Sequence, residues 1–271
     1  MDEFLSNPAV QAGGVPFLAA LIAAVALQPV RLGGLALVAA FLSCMYLVSG
    51  LQLTPLTATR KILILGIAAP AVGVLADFAF RPTRAGAALM AVAAGAAALW
   101  VFWPVLAQKS AAQAWLLGAT TAVATVFMVG FAQLQLASDA LRAGAAALGL
   151  GLGVGVASIF SASASYGSYG IALGAGAGGF LLPQMIRGKP AFAGTTFALT
   201  AMLLGGLVAA GAMILAQLPW YAVLVLALVP LAARMPVPAR APVWLQAVLF
   251  SLYAFVVAAV ACALAWPSNQ P

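Results

Sequence analysis

The chain contains no histidine. That removes bis-histidine haem ligation, most catalytic zinc and copper sites, and Ser-His-Asp catalysis. Acidic side chains are nearly as scarce. Only Asp2, Glu3, Asp77 and Asp139 occur in 271 residues, and none follows Asp139. A paired-carboxylate active site or a carboxylate metal cage is therefore excluded from the second half, and Mg²⁺-dependent phosphotransfer is poorly supplied. The two cysteines, Cys44 and Cys262, both fall inside apolar runs, where free thiols pack as small apolar groups. These absences lead us to expect a protein that is not an enzyme and that holds no cofactor and no metal.

Charge of either sign is thin. Asp, Glu, Lys and Arg make up 6% of the chain, against about a quarter in a soluble domain. Hydrophobic residues make up 66% and the mean hydropathy is +1.16, so the chain could not cover a water-facing surface. Apolar runs recur along the whole length, and no segment is polar enough or long enough to stand as a separate soluble domain. The runs are continuous and do not alternate with a period of two, which argues against a transmembrane barrel. The predicted fold is all-α, a polytopic transmembrane helical bundle whose first partner is the lipid bilayer. Heavy use of Ala and Gly suits close helix packing and also fits a GC-rich bacterial genome.

A span needs roughly 20 apolar residues. Breaks at charges, prolines and polar clusters give about ten spans, at residues 15–30, 32–53, 62–80, 85–106, 112–134, 143–162, 169–186, 195–218, 221–233 and 243–266. The first and ninth are the shortest and could be half-spans or interfacial helices. Residues 1–14 and 267–271 remain as short tails around a single transmembrane domain, 15–266. Ten spans divide into five and five, and an odd number per half would relate two halves by inversion, as in many secondary transporters. Similarity between the two halves is faint.

The basic residues lie in ones and twos, without the clustered face that nucleic acid requires, so no nucleic-acid partner is expected. Alternate loops carry Arg31, Arg81 and Arg84, Arg142, Arg187 and Lys189, and Arg234 and Arg240. The opposite loops hold only Arg60, Lys61 and Lys109. The positive-inside rule places the richer side in the cytoplasm and both termini outside it, in a bacterial inner membrane. A cleavable signal peptide is not expected, because the chain opens with MDEF and its first apolar run is followed by Arg31. Trp100, Trp103, Trp115, Trp220 and Trp266 fall near predicted span ends, as an aromatic belt requires.

An ionisable group inside a membrane is costly and is a functional candidate by default. Asp77 lies near the cytoplasmic end of the third predicted span, with Arg81 four residues on. It reads either as a helix-end salt bridge or as a proton or cation site. Gln135, Asp139 and Arg142 follow i, i+4, i+7 spacing, which places them on one helical face. That face is either a solvated helix end with a local Asp139–Arg142 pair or a polar stripe lining a cytoplasmic cavity. Gln184 follows Pro183, which breaks the backbone ladder near a helix end and can free carbonyls toward a pathway.

Glycine dominates residues 149–182. Gly174, Gly176 and Gly179 match GxGxxG, but a dinucleotide fold needs a preceding strand and a following acid, and no acid follows. The pairs Gly149/Gly153, Gly151/Gly155, Gly170/Gly174 and Gly174/Gly178 are GxxxG strips, which let neighbouring helices approach closely. Between them, Ser158 to Ser168 with Tyr166 and Tyr169 are predicted to form the outer turn of a helical hairpin. That turn is either a plain loop or a polar mouth.

Two functions fit these features. One is a small secondary transporter or exporter of a neutral or weakly polar solute, since the spans offer few groups to compensate a charged one. The other is a non-catalytic subunit or assembly factor, joining other membrane subunits or its own copies through small-residue faces. An enzyme acting on lipid would have to draw its catalytic cluster from the few Asp and Arg residues above.

Overall fold

The computed structural model describes residues 7–80, 83–238 and 240–266. Among the described residues all regular structure is helical. Eight helices among these residues are long and apolar enough to cross a membrane: α1 (Val10–Val30), α3 (Ala58–Ala79), α4 (Arg84–Leu106), α5 (Ala111–Gln135), α6 (Ala140–Phe160), α7 (Ala164–Arg187), α8 (Gly194–Leu215) and α10 (Val243–Ala265). Two shorter apolar helices, α2 (Gly33–Ser49) and α9 (Trp220–Ala232), complete the order. The chain is a multi-pass helical membrane protein of roughly ten helices. Helix α9 reaches roughly 20 Å at 1.5 Å per residue, short of the ~30 Å hydrocarbon core, and breaks at Leu228, two residues before Pro230.

Short polar side chains set several helix starts. Thr83, Ser110, Asp139 and Ser163 accept hydrogen bonds from the backbone N–H of Gly86, Gln113, Arg142 and Tyr166 at 3.0, 3.5, 3.2 and 3.4 Å. Two of these caps correct the reading of the sequence. Leu136 to Ser138 form a turn and Asp139 opens a new helix, so Gln135 ends α5 while Arg142 belongs to α6. Gln135, Asp139 and Arg142 therefore do not share one helical face. Likewise Ser163 starts α7 immediately after a short turn, which makes Tyr166 and Tyr169 helical and buried instead of part of an outer loop.

Helix α1 begins at Val10, inside the segment expected to be a tail. Asn7 starts it, accepting the Ala9 N–H on Oδ1 at 2.9 Å and the Val10 and Gln11 N–H groups on its carbonyl at 3.0 Å. Helix α2 stops at Ser49, where Gly50 takes φ +69° and turns the chain into a non-helical connection.

Helix α8 forms the centre. Every residue in it except Thr195 and Leu215 is buried, which explains why it is apolar all round. The outer helices present Ile22, Leu75, Leu89 and Val256, each more than 60% exposed, to the bilayer.

The glycine strips divide between two neighbours. Gly151 and Gly155 face α7, where a Cβ on Gly151 would collide with the Gly174 backbone nitrogen and one on Gly155 would stand 2.7 Å from the Ile171 nitrogen. Gly149 and Gly153 face α10, and a Cβ there would stand 2.5 Å from the Cβ of Ala254 and 2.8 Å from that of Ala258. Residues two apart point to opposite sides of a helix, so interleaved GxxxG pairs serve two interfaces. Gly178 is different, with nothing nearer to an added Cβ than the Phe17 ring at 3.7 Å.

Successive helices run antiparallel, so the connections gather at two ends. At one end Arg187 donates to Gln28 Oε1 at 2.8 Å, and this end carries the loops with Arg31, Arg84, Arg142, Lys189, Arg234 and Arg240 together with Asp77 and Asp139. At the other lie Arg60, Lys61 and Lys109 with Trp100, Trp103, Trp115, Trp220 and Trp266. We call these the cationic end and the tryptophan end.

Candidate functional site

Asp77 caps a helix other than its own. Helix α8 has no side-chain cap from its flanking residue, and the Asp77 carboxylate, reaching across from α3, takes that role. Its Oδ1 accepts the Thr195 N–H at 2.7 Å, while Oδ2 accepts the Thr196 N–H at 2.9 Å and the Thr196 hydroxyl at 2.7 Å. Close approach makes this possible: a Cβ on Gly73 would stand 2.5 Å from Thr196 Cα. The negative charge sits on the positive end of the helix dipole. Arg81, the partner expected from the i,i+4 spacing, lies outside the described residues.

Asp139, Arg142 and Gln184 at the cationic end are also engaged within the bundle. Asp139 Oδ2 pairs with Arg142 Nε at 3.0 Å. Arg142 Nη1 donates to the carbonyls of Ala233 and Met235 at 3.0 and 3.2 Å, and the guanidinium lies 4.2 Å from the Phe250 ring centroid. One side chain thereby joins α6, the end of α9 and α10, placing a cation at a helix C-terminus. Gln184 is wholly buried; its amide donates to the Phe180 carbonyl and accepts from the Ala191 N–H, both at 2.9 Å. Gln135 is exposed at the last residue of α5.

The structure brings Tyr166 and Tyr169 together with residues that were not singled out in the sequence. At the tryptophan end a cavity of about 270 Å³ opens between α2, α3 and α7, bordered by Ser49, Thr57, Thr59, Arg60, Ser165 and Tyr169, with Met45 and Leu63 as apolar walls. Tyr169 and Ser49 share a hydrogen bond of 2.8 Å, and the Tyr169 ring meets Phe41 edge-on at 6.1 Å. Arg60 is held by neutral oxygens, donating to the Pro55 carbonyl at 2.7 Å and to Gln52 Oε1 at 3.2 Å. Tyr166 packs its ring against Gly211, where a Cβ would collide with it. Its hydroxyl is buried beside Thr59 yet makes no well-formed hydrogen bond.

Lys61, one residue beyond Arg60, is 7% exposed. It turns away from the cavity toward α4, donating to the Trp100 carbonyl at 3.0 Å with its ammonium 4.7 Å from the Trp100 ring centroid. The acceptor has a specific origin. Trp100 lies four residues before Pro104, which has no N–H to close the helical hydrogen bond, so Lys61 supplies the missing donor. Replacing Lys61 with methionine is expected to cost less stability in a Pro104→Ala background, where the backbone N–H returns. The expected coupling is about 1 kcal/mol in a double-mutant cycle of detergent melting curves; additive effects would show that the two residues are independent.

The stretch from Ser158 to Tyr169, read in the sequence as a plain loop or a polar mouth, supplies Ser165 and Tyr169, but no spacing pointed to the rest of this site. Ser49, Thr59 and Ser165 are common residues at span ends, and they become a group only when three helices converge. Lys61 could have been noticed through the Trp100–Pro104 spacing, because a buried carbonyl freed by proline needs a donor from elsewhere. No protein-family model matches the sequence, no curated protein is similar to it, and no solved structure matches it.

Proposed function

We propose that the chain is a small secondary transporter or exporter in a bacterial cytoplasmic membrane, moving a small organic solute without making or breaking covalent bonds. The observation that carries this reading is the cavity at the tryptophan end. Hydroxyls from three helices and one guanidinium line an opening in an otherwise apolar bundle, the mix of apolar wall and few polar groups typical of small-molecule sites. The uneven distribution of Lys and Arg between the two ends supports an orientation with the cationic end in the cytoplasm and both termini outside. The glycine strips of α6 and α7 are consumed against α7, α10 and α6, which favours a chain that packs on itself over one that reserves those faces for another subunit.

Reconstituted liposomes test the proposal. Counterflow of small labelled solutes is expected with the purified chain. Ser165→Trp, placed at an exposed position on the cavity rim, is expected to reduce it to background without lowering the melting temperature. Transport unchanged by Ser165→Trp would detach function from the cavity. Co-purification at fixed stoichiometry with other membrane proteins, without solute movement, would support the subunit reading instead.

A further inference from the structure

Resting on the transport reading of the same cavity, we infer that the solute carries a single carboxylate and that Arg60 receives it. The expectation of an uncharged solute came from the lack of compensating groups in the spans, and at this cavity one is present. Among the described residues Asp77 and Asp139 are the only acids, and both sit at the opposite end, about a bilayer thickness away and beyond the roughly 8 Å screening length. Arg60 is positioned by Pro55 and Gln52, but neither partner cancels its charge. Lys61 adds a second positive charge just behind it, also tied to a neutral carbonyl.

Among the described residues the charge at this end is positive, which favours anions over cations; Asp2 and Glu3 lie outside the described residues. A guanidinium binds a carboxylate through two parallel N–H donors, and the hydroxyls of Thr59 and Ser165 can donate alongside. The buried Tyr166 hydroxyl leaves one more unused donor behind Thr59. The volume of about 270 Å³ equals roughly nine waters at 30 Å³ each, room for a monocarboxylate of about that many heavy atoms with its apolar part against Met45 and Leu63.

Three molecules of one shape test the inference: benzoate, benzamide and benzamidine, titrated calorimetrically into the purified full chain in detergent. Benzoate is expected to bind, benzamide at least about tenfold more weakly, and benzamidine not at all. Arg60→Gln is expected to reduce benzoate to the benzamide level, while Arg60→Lys keeps the order and shows that the charge, not a folding defect, is responsible. Equal binding of benzoate and benzamide, an unchanged benzoate affinity in Arg60→Gln, or no binding by any of the three overturns the inference. Arg60-dependent benzoate binding without transport in liposomes would overturn the transport reading and leave the anion site. Transport of benzamide with exclusion of benzoate would do the reverse.

Discussion

Gly151→Ala and Gly170→Ala are each expected to separate α6 from α7 and to destabilise the protein by more than about 3 kcal/mol, at or beyond the upper range for overpacked cores. An added methyl at Gly151 meets the Gly174 backbone nitrogen, and one at Gly170 meets the Gly155 backbone nitrogen. Backbone atoms cannot rotate away as a side-chain tip can, so the helices must part and lose contact along the hairpin. In a bilayer no hydrophobic drive restores that contact, because lipid tails are as apolar as the helix faces. Gly178→Ala provides the internal control: its new methyl meets the Phe17 ring at 3.7 Å and Leu148 Cδ1 at 3.9 Å, ordinary van der Waals distances, and alanine is the better helix former by about 1 kcal/mol. The measurement is the melting temperature and monodisperse yield of the three variants in one detergent. Gly151→Ala as stable as Gly178→Ala would mean that the hairpin is not packed as described.

Asp77→Ala is expected to be the most damaging polar substitution, at about 3 kcal/mol. It leaves the Thr195 and Thr196 N–H groups and the Thr196 hydroxyl without their acceptor, and hydrogen bonds to a charged group contribute roughly 1.5–3 kcal/mol each before water substitutes for part of the loss. Asp77→Asn keeps one carbonyl oxygen, and asparagine is itself a good cap, so its cost is expected to be less than half of the alanine cost. The two readings of this residue diverge at that variant. A capping residue predicts that Asp77→Asn retains solute movement per folded molecule, with losses following stability. A proton or cation site predicts a stable Asp77→Asn protein that no longer couples transport. Liposome flux normalised to folded protein, set beside melting curves, separates them.

Both predictions concern residues whose type was conspicuous in the sequence and whose partners were not. Asp77 stood out as a rare intramembrane acid, and its reading as a possible pair with Arg81 used the nearest cation in sequence. The actual partners are the start of α8, reached only because Gly73 lets α3 and α8 cross closely. The glycine spacing of residues 149–178 marked close packing, but which strip faces which helix depended on the placement of α10. The pattern at Gln135, Asp139 and Arg142 misled because i, i+4, i+7 spacing implies one face only if the helix is unbroken. The capping preference of Asp139 broke it.

What the sequence by itself determined is the medium and the class of fold. Hydropathy adds up over about twenty neighbouring residues, so long apolar runs and scarce charge are enough to require helices in a bilayer, and the described residues form eight span-length apolar helices and two shorter ones. The uneven loop charges are likewise a local property, readable without knowing which helices touch. The cavity, the cap on α8 and the Lys61–Trp100 bond were decided only by the tertiary structure. Each joins residues distant in the chain, and between apolar helices in lipid the choice of neighbour rests on steric fit and hydrogen bonds. Those depend on geometry that no single stretch of sequence contains.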